Sequence, residues 1–390
     1  MNPRALVLRL ARYWPLLALA FFAALPFVPS NDVARYARQF TPVFVFAVLA
    51  LGLNVILGYT GVLHFGLAAF FGIGAYATGI LAVREFPFQL SFPVLIAASV
   101  VAAASIGVAT TAPALRLRGD YLALVTMAFG LIAVFLLRNL DNITGGAKGL
   151  NPISPALVPG LMDPDLSGLR HHRTWGLTWR AYPYFYFLCL AVLALTYLLL
   201  GILERSRLGR SWVALREDEL AASCMGLNPA RLKLLAIAIG AGLAGLAGGL
   251  YAISQNTTAD PGAYDFNRSI FVLCCVILGG LGNRKGVLLG VFLLVGFDLI
   301  LSPVLDNWVQ EPATQAQFPA FMQGKEYTKL SMWRLGIFGA VLILMMRFRP
   351  EGLLPEARRK HELHPEEAEA QESGDGNQES VKPKPPTSDP

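Results

Sequence analysis

Apolar runs of helical membrane-crossing length alternate with short polar breaks along most of the chain. They cover 14–28, 42–58, 61–83, 91–115, 119–137, 182–203, 234–253, 269–282, 286–305 and 331–346. A helix crosses the hydrocarbon layer in roughly 20 residues, so the pattern predicts an all-α polytopic membrane protein of about ten transmembrane helices. The first run follows Arg4, Arg9 and Arg12 like a signal peptide, but no small-x-small site precedes Ser30, Asn31 and Asp32. It is read as a retained span. The third run carries Gly72, Gly74, Ala75 and Gly79, which would let helices approach closely. Tyr182, Tyr184, Phe185 and Tyr186 open the sixth with an aromatic cluster suited to the headgroup level.

The polar intervals set the topology. Arg116, Arg118, Arg284, Lys285, Arg347 and Arg349 all fall on one side when ten spans are threaded, which predicts both termini in the cytoplasm. The interval 138–181 is too long for a simple connector and is expected to be a partly structured extracytoplasmic segment. A second excursion, 306–330, precedes the last span. Residues 1–354 form the membrane domain in this reading. Residues 355–390, rich in Pro, Glu and Ser and nearly free of aromatics, form a disordered acidic cytoplasmic tail.

The interval 204–233 differs from the rest. Arg205, Arg207, Arg210, Arg216, Arg231 and Lys233 surround Glu217, Asp218 and Glu219. Residues 218–225 can make about two helical turns with acids in the first, where the helix dipole favours them, and Gly226 and Asn228-Pro229 end it. Such a helix would lie across the cytoplasmic face as a docking point for a soluble partner. The plainer alternative is a solvated loop.

Composition removes several function classes. The chain has 390 residues, 55% hydrophobic and 15% charged, with a net charge of +6. The basic residues are scattered at helix ends, which suits the lipid surface and not a nucleic-acid groove. Cys189, Cys224, Cys274 and Cys275 form no C-x-x-C or Cys/His cluster, so neither a disulfide framework nor a metal site is expected. The glycine run from Gly279 to Gly286 lacks the spacing of a phosphate-binding loop, and no cofactor is implied. Gly242, Gly245, Gly248 and Gly249, and the pair Gly286 and Gly290, are read as helix-packing positions. No paired acids or His cluster within the spans offer a catalytic site.

Breaks inside apolar segments carry more information. Around Leu57–Gly61 an apolar stretch is interrupted without a charged loop, as a tight turn or as a broken helix lining a cavity. Asn54, Gly58, Gly61, His64 and Gly66 are therefore candidate path residues, although a lone His among apolar neighbours is more often a packing residue. Thr144, Gly145 and Gly146 could fold over an outward mouth or simply turn the chain. Asp298 is the one acid deep in a span, either a proton-relay carboxylate or a hydrogen-bonded residue near the outer third of its helix.

Six segments in order then carry a resemblance: LNVILGYTGVLHFGLAAFFGIGAYATGIL (53–81), LRLRGDYLALVTMAFG (115–130), TGGAKGL (144–150), SRLGRSWVALREDELAASCMGLNPARLKLLA (206–236), VILGGLGNRKGVLLG (276–290) and FRPEGLL (348–354). Over roughly 51–354 the chain resembles the permease subunit of branched-chain amino acid ABC importers, a family that also includes urea and short-chain amide permeases. The resemblance implies a bacterial inner-membrane subunit that hydrolyses nothing itself. Its implied partners are two ABC ATPase subunits, a second homologous permease and a periplasmic substrate-binding protein. Glu219, Ala221, Ala222 and Gly226 match an E-A-A-x-x-x-G coupling pattern loosely, which implies that Glu217, Asp218, Glu219, Ala221, Ala222 and Gly226 form an ATPase-coupling element. One departure is clear. Where the family often reads G-Q-x-S-x-G-H, this chain has Val62, His64 and Leu67 at the Gln, Ser and His positions, which makes the region more apolar and keeps urea or a short amide open as the solute. An ion-coupled secondary carrier using Asp298 is the reading from another class.

Overall fold

The computed structural model describes residues 31–83, 90–115, 120–151, 182–258, 260–309, 330–349 and 352–354, with isolated positions at 21, 22, 24, 153, 173, 174, 177 and 178. In chain order the helices are α1 (Asn31–Leu53), α2 (Leu67–Ala82), α3 (Phe92–Ala114), α4 (Asp120–Asn139), α5 (Asp141–Thr144) and α6 (Tyr182–Arg205). They continue with α7 (Arg207–Glu217), α8 (Glu219–Cys224), α9 (Pro229–Gln255), α10 (Phe266–Gly279), α11 (Arg284–Gly296), α12 (Ser302–Val309) and α13 (Leu330–Phe348). Two π-helical turns interrupt the regular pattern, Asn54–Tyr59 after α1 and Phe297–Leu301 after α11. Arg173–Thr174 and Leu177–Thr178 form a two-residue antiparallel pair, the one β-sheet among the described residues.

Seven described stretches are long and apolar enough to cross a membrane: Gln39–Tyr59, Phe92–Ala114, Tyr121–Asn139, Phe185–Arg205, Pro229–Gln255, Pro261–Gly279 and Arg284–Asp306. The chain is thus a multi-pass helical membrane protein. The expected run 61–83 differs from a full span: its helix starts only at Leu67 and is 16 residues long, because residues 61–66 are not helical. The last run forms α13, while the first lies outside the described residues apart from positions 21, 22 and 24. The tail 355–390 also lies outside them.

Two helices organise the packing. α9 lies against α1, α2 and α3, and α1 also contacts α6, α10 and α11. The span containing α1 is 89% buried, against 22% for α3 and 28% for α4. Small residues make the α9 contacts possible. A side chain at Gly248 would strike the Phe71 carbonyl, and one at Gly245 would strike that of Ser99. Backbones approach this closely only where a Cβ is missing, which accounts for the glycine series in α9. By contrast α4 turns Tyr121, Leu124, Ile132 and Phe135 outward as an apolar face, as a lipid-facing helix would.

The hydrogen bonds define two ends. At the first end lie α7, α8, the turn Gly280–Asn283 and residues 352–354, joined by Leu353 N to Leu278 O at 2.9 Å and Asn283 Nδ2 to Leu354 O at 2.9 Å. At the opposite end, Leu150 N donates to Thr258 Oγ1 at 2.8 Å and Arg138 pairs with Asp260 at 3.3 Å. The Gly262 N–H bond, followed by the Arg138 guanidinium, holds the Asp260 carboxyl below its usual range.

Candidate functional site

The polar linker between α6 and α9 folds as two short helices, each with its start and stop written in local sequence. Ser206 caps α7 by accepting from Gly209 N, and Asp218 caps α8 by accepting from Leu220 N at 2.8 Å and Ala221 N at 3.0 Å. Those bonds satisfy amides that a helix start leaves without partners. Asp218 therefore stands before the helix, not in its first turn as expected, and α8 is six residues long. Gly226 ends it with φ +84°, a conformation that a Cβ would strain, and Leu227 N returns to Ala222 O at 3.2 Å. Asn228 and Pro229 then start α9, with Asn228 Oδ1 accepting from Arg231 N at 3.1 Å.

Of the residues predicted to couple, Ala222 is buried against the body, while Glu217, Asp218, Glu219, Ala221 and Gly226 are exposed. Glu219 is tied to Lys233 at 2.6 Å, which fixes α8 to the start of α9. Leu220 and Met225 are 75% and 85% exposed, two large apolar side chains on an otherwise polar surface. Beside them an open groove of about 470 Å³ is lined by Glu219, Ser223, Gly226, Leu227, Asn228 and Lys233, among others.

Sequence reasoning missed the residues that join this linker to the membrane core. Trp212 of α7 is fully buried, donates from Nε1 to Leu232 O at 2.9 Å, and stacks on Tyr59 with ring planes 13° apart. Arg216 Nη1 donates to Gly58 O at 2.6 Å. A Cβ built on Gly61, whose φ is +71°, would sit 3.3 Å from Arg216 Cγ. Gly58, Tyr59 and Gly61 all belong to the break that follows α1. The signal was present as a Trp and an Arg spaced four apart in a polar helix, W-x-x-x-R, which places both on one face.

The break itself is ordered by side chains. Asn54 is buried, and its Oδ1 accepts from Gly282 N at 2.9 Å, where a Cβ at Gly58 would collide with it. Residues 61–66 form an irregular segment with alternating exposure: Val62, His64 and Gly66 are buried, and Gly61 and Leu63 are exposed. Phe65 N donates to Thr126 Oγ1 at 3.1 Å on α4, and Ala68 N to Ser269 Oγ at 3.0 Å on α10. Thr126 and Ser269 thus replace helix carbonyls as partners for the interrupted backbone. His64 is 4% exposed, its Nδ1 accepts from Gly66 N at 3.2 Å, and its ring meets Phe70 with centroids 5.2 Å apart. Acceptance at Nδ1 assigns the proton of neutral His64 to Nε2, and neither Nε2 nor Asn54 Nδ2 has a partner among the described residues.

Thr144, Gly145 and Gly146 stand apart from this cluster, at the opposite end. Thr144 Oγ1 donates to Leu140 O at 2.8 Å and accepts from Gly146 N at 3.3 Å. Gly145 and Gly146 have φ of +70° and +59°, so the chain doubles back there into residues 150–153, which bond to 256–258. Asp298 lies on the second π turn, half-buried at a cavity on the same end.

The chain matches the family model described as the permease component of the branched-chain amino acid transport system over residues 36–346. It is 35% identical over 360 residues to the high-affinity branched-chain amino acid transport system permease protein LivM of Escherichia coli (strain K12), covering 88% of this chain and 75% of the relative. A probable branched-chain amino acid transport permease protein LivM of Methanocaldococcus jannaschii is 26% identical, covering 80% and 91%. The permease protein LivH of a high-affinity branched-chain amino acid transport system in Salmonella typhimurium is 24% identical, covering 67% and 83%. No solved structure matches.

Proposed function

The chain belongs to the family of branched-chain amino acid transport permease components, and on that premise we propose that it is the membrane-spanning permease subunit of an ATP-driven importer for branched-chain or related amino acids. The observation that carries the mechanism is the connection from an exposed helix to a broken one. Leu220 of α8 and Met225 directly after it are exposed near an open groove, as anchors for a partner are. α8 is tied to α9 by the Glu219–Lys233 pair. α7, which leads into α8, holds the backbone of the π turn through Arg216 and its ring through Trp212. A displacement of α8 by a closing ATPase would therefore be passed to residues 54–66 without an intervening flexible joint.

In this proposal ATP is hydrolysed by two partner ATPase subunits that receive α8. A second homologous permease completes the path, and a periplasmic binding protein delivers solute at the opposite end. Similarity to both LivM and LivH permeases supports pairing of two related subunits. The setting is the bacterial inner membrane, with the α7–α8 end in the cytoplasm, where Arg205, Arg207 and Arg210 suit the positive-inside rule. Asn54, Gly58, Gly61, His64 and Gly66 form the part of the path that moves, and Thr144, Gly145 and Gly146 shape its outer rim.

Affinity purification of the tagged full chain from native membranes in mild detergent, followed by mass spectrometry, tests the assignment. ATPase subunits and a second permease should co-purify. Recovery of the chain alone, from membranes that take up leucine, would contradict it.

A further inference from the structure

Arg284 is the first residue of α11, where the helix dipole opposes a cation. Within α11 its charge is therefore unfavourable, and its partners lie on another helix. Tyr197, Gly201 and Glu204 share one face of α6 at helical spacing. Arg284 Nε donates to Glu204 Oε2 at 2.6 Å, and Nη1 donates to Tyr197 O at 2.9 Å. The guanidinium lies over the Tyr197 ring at 4.8 Å. A Cβ at Gly201 would stand 2.5 Å from Nη1, so the glycine is what admits the fork. The Arg284 side chain is left only 16% exposed, with its plane fixed by three groups of α6.

Both partners sit at joints. Glu204 is next to last in α6, and the corner into α7 is tight. There Ser206 Oγ donates to Leu203 O at 2.6 Å, and a Cβ at Gly209 would strike the Leu203 and Glu204 carbonyls. Arg284 adjoins the turn Gly280–Asn283, in which Asn283 Oδ1 caps α11 by accepting from Lys285 N at 3.0 Å. Gly282 N of the same turn donates to Asn54 Oδ1 at 2.9 Å. The π turn after α1 is thus gripped at two places, at Asn54 by this turn and at Gly58 by Arg216 of α7. The contacts close a ring that runs from the α6–α7 corner through α7, the π turn and Gly280–Asn283, and back through Arg284 to Glu204.

If the linker moved Gly58 while Asn54 stayed with a stationary turn, the π turn would be sheared between its two grips. We propose that Arg284 is a positioning residue for coupling. Its pair with Glu204 yokes the base of α11 to the α6–α7 corner, so that both grips travel together when the linker is displaced. The yoke rests on the import function proposed above and extends its route to α11 and the Gly280–Asn283 turn. Without the pair, the ATPase still docks on α8 and hydrolyses ATP, but the broken segment no longer moves as a unit.

Two measurements test it. The first is a double-mutant cycle on the importer purified through the tagged full chain and placed in proteoliposomes with ATP. Arg284→Gln and Glu204→Gln should each raise the ATP consumed per leucine by about threefold or more, near the lower end of the coupling seen within one ion-pair network. The ATPase subunits should co-purify at the wild-type ratio, and Arg284→Lys should recover part of the loss. In the Arg284→Gln background, Glu204→Gln should add nothing further. Wild-type ATP-to-leucine ratios in both single variants, or equal increments from Glu204→Gln in both backgrounds, would overturn the proposal. So would lowered thermal stability with an unchanged ratio in the surviving complexes, the mark of a purely structural pair. The second measurement uses the wild type and so does not depend on a variant folding. When a non-hydrolysable ATP analogue is added, amide exchange at 280–283 should change together with exchange at 54–58. A change confined to one of these segments, or absent from both, would overturn the yoke. Absence of ATP-driven uptake in the wild type would overturn the import function and the yoke together, whereas the contrary outcomes above in an importer that takes up leucine strike the yoke alone.

Discussion

Replacing Arg216 with Met separates the linker from the broken helix while sparing the packing around it. The Met stem can occupy the space of the Arg216 methylenes next to Gly61, and the substitution removes the 2.6 Å bond from Nη1 to Gly58 O. A half-buried hydrogen bond from a charged donor contributes about 1.5–3 kcal/mol. At about 1.4 kcal/mol per factor of ten, its loss raises the population of states in which the linker has let go of the π turn by roughly 10- to 150-fold. Gly58 O is left without this donor in a buried setting, so the turn itself should loosen. Two readouts follow. Amide hydrogen exchange across 57–61 should accelerate by a comparable factor, with exchange in α1 unchanged. In proteoliposomes holding the complete importer, the ATP consumed per leucine imported should rise several-fold while the complex remains intact on size exclusion. Unchanged exchange at 57–61 together with an unchanged ATP-to-leucine ratio would refute the idea that Arg216 transmits force to the break.

Other expectations can be checked alongside. Leu220→Asp with Met225→Asp should reduce co-purification of the ATPase subunits at least tenfold and leave the thermal midpoint of the permease unchanged, since both side chains are exposed; retained binding would move the docking face elsewhere. Gly226→Leu meets no atom within 4 Å but must adopt φ +84°, which costs a residue with a Cβ roughly 1–2 kcal/mol, so the chain should fold and insert while uptake falls relative to ATP hydrolysis. Trp212→Phe loses the bond to Leu232 O, about 1 kcal/mol, and should lower thermal stability modestly and transport more strongly, as measured by a melting assay and leucine uptake. Gly248→Leu forces a side chain into the Phe71 carbonyl and should abolish accumulation of folded protein in the membrane.

The spans were legible because hydrophobic length is a one-dimensional property: α3, α4, α6, α9 and α11 fall where the apolar runs place them. The non-helical stretch 61–66 was harder to read. Val62, Leu63 and Phe65 are as apolar as a helix interior, and the reason they are not helical lies in partners distant in sequence, Thr126 and Ser269. The end of the short helix was visible at Gly226, whereas Asp218, expected in the first turn, is its cap, and Asn228, read with Pro229 as a stop, caps α9. The linker's grip on the break was not visible, because Trp212 and Arg216 acquire meaning only once Tyr59 and Gly58 are beside them. Asp298 stood out as an acid in a span, yet its neighbours in the cavity, Arg268 and Phe338, come from separate helices that no local pattern joins. The path residues 54–66 and the outward-mouth residues 144–146 were expected at different places along the chain's spans, and the fold sets them at different ends of the bundle.

Leucine uptake by proteoliposomes containing the complex isolated through this chain, with ATP or a non-hydrolysable analogue inside and the membrane potential and proton gradient collapsed, tests the central claim most directly. The account predicts uptake with ATP and none with the analogue. Uptake that continues without ATP and vanishes when the proton gradient is removed would contradict it.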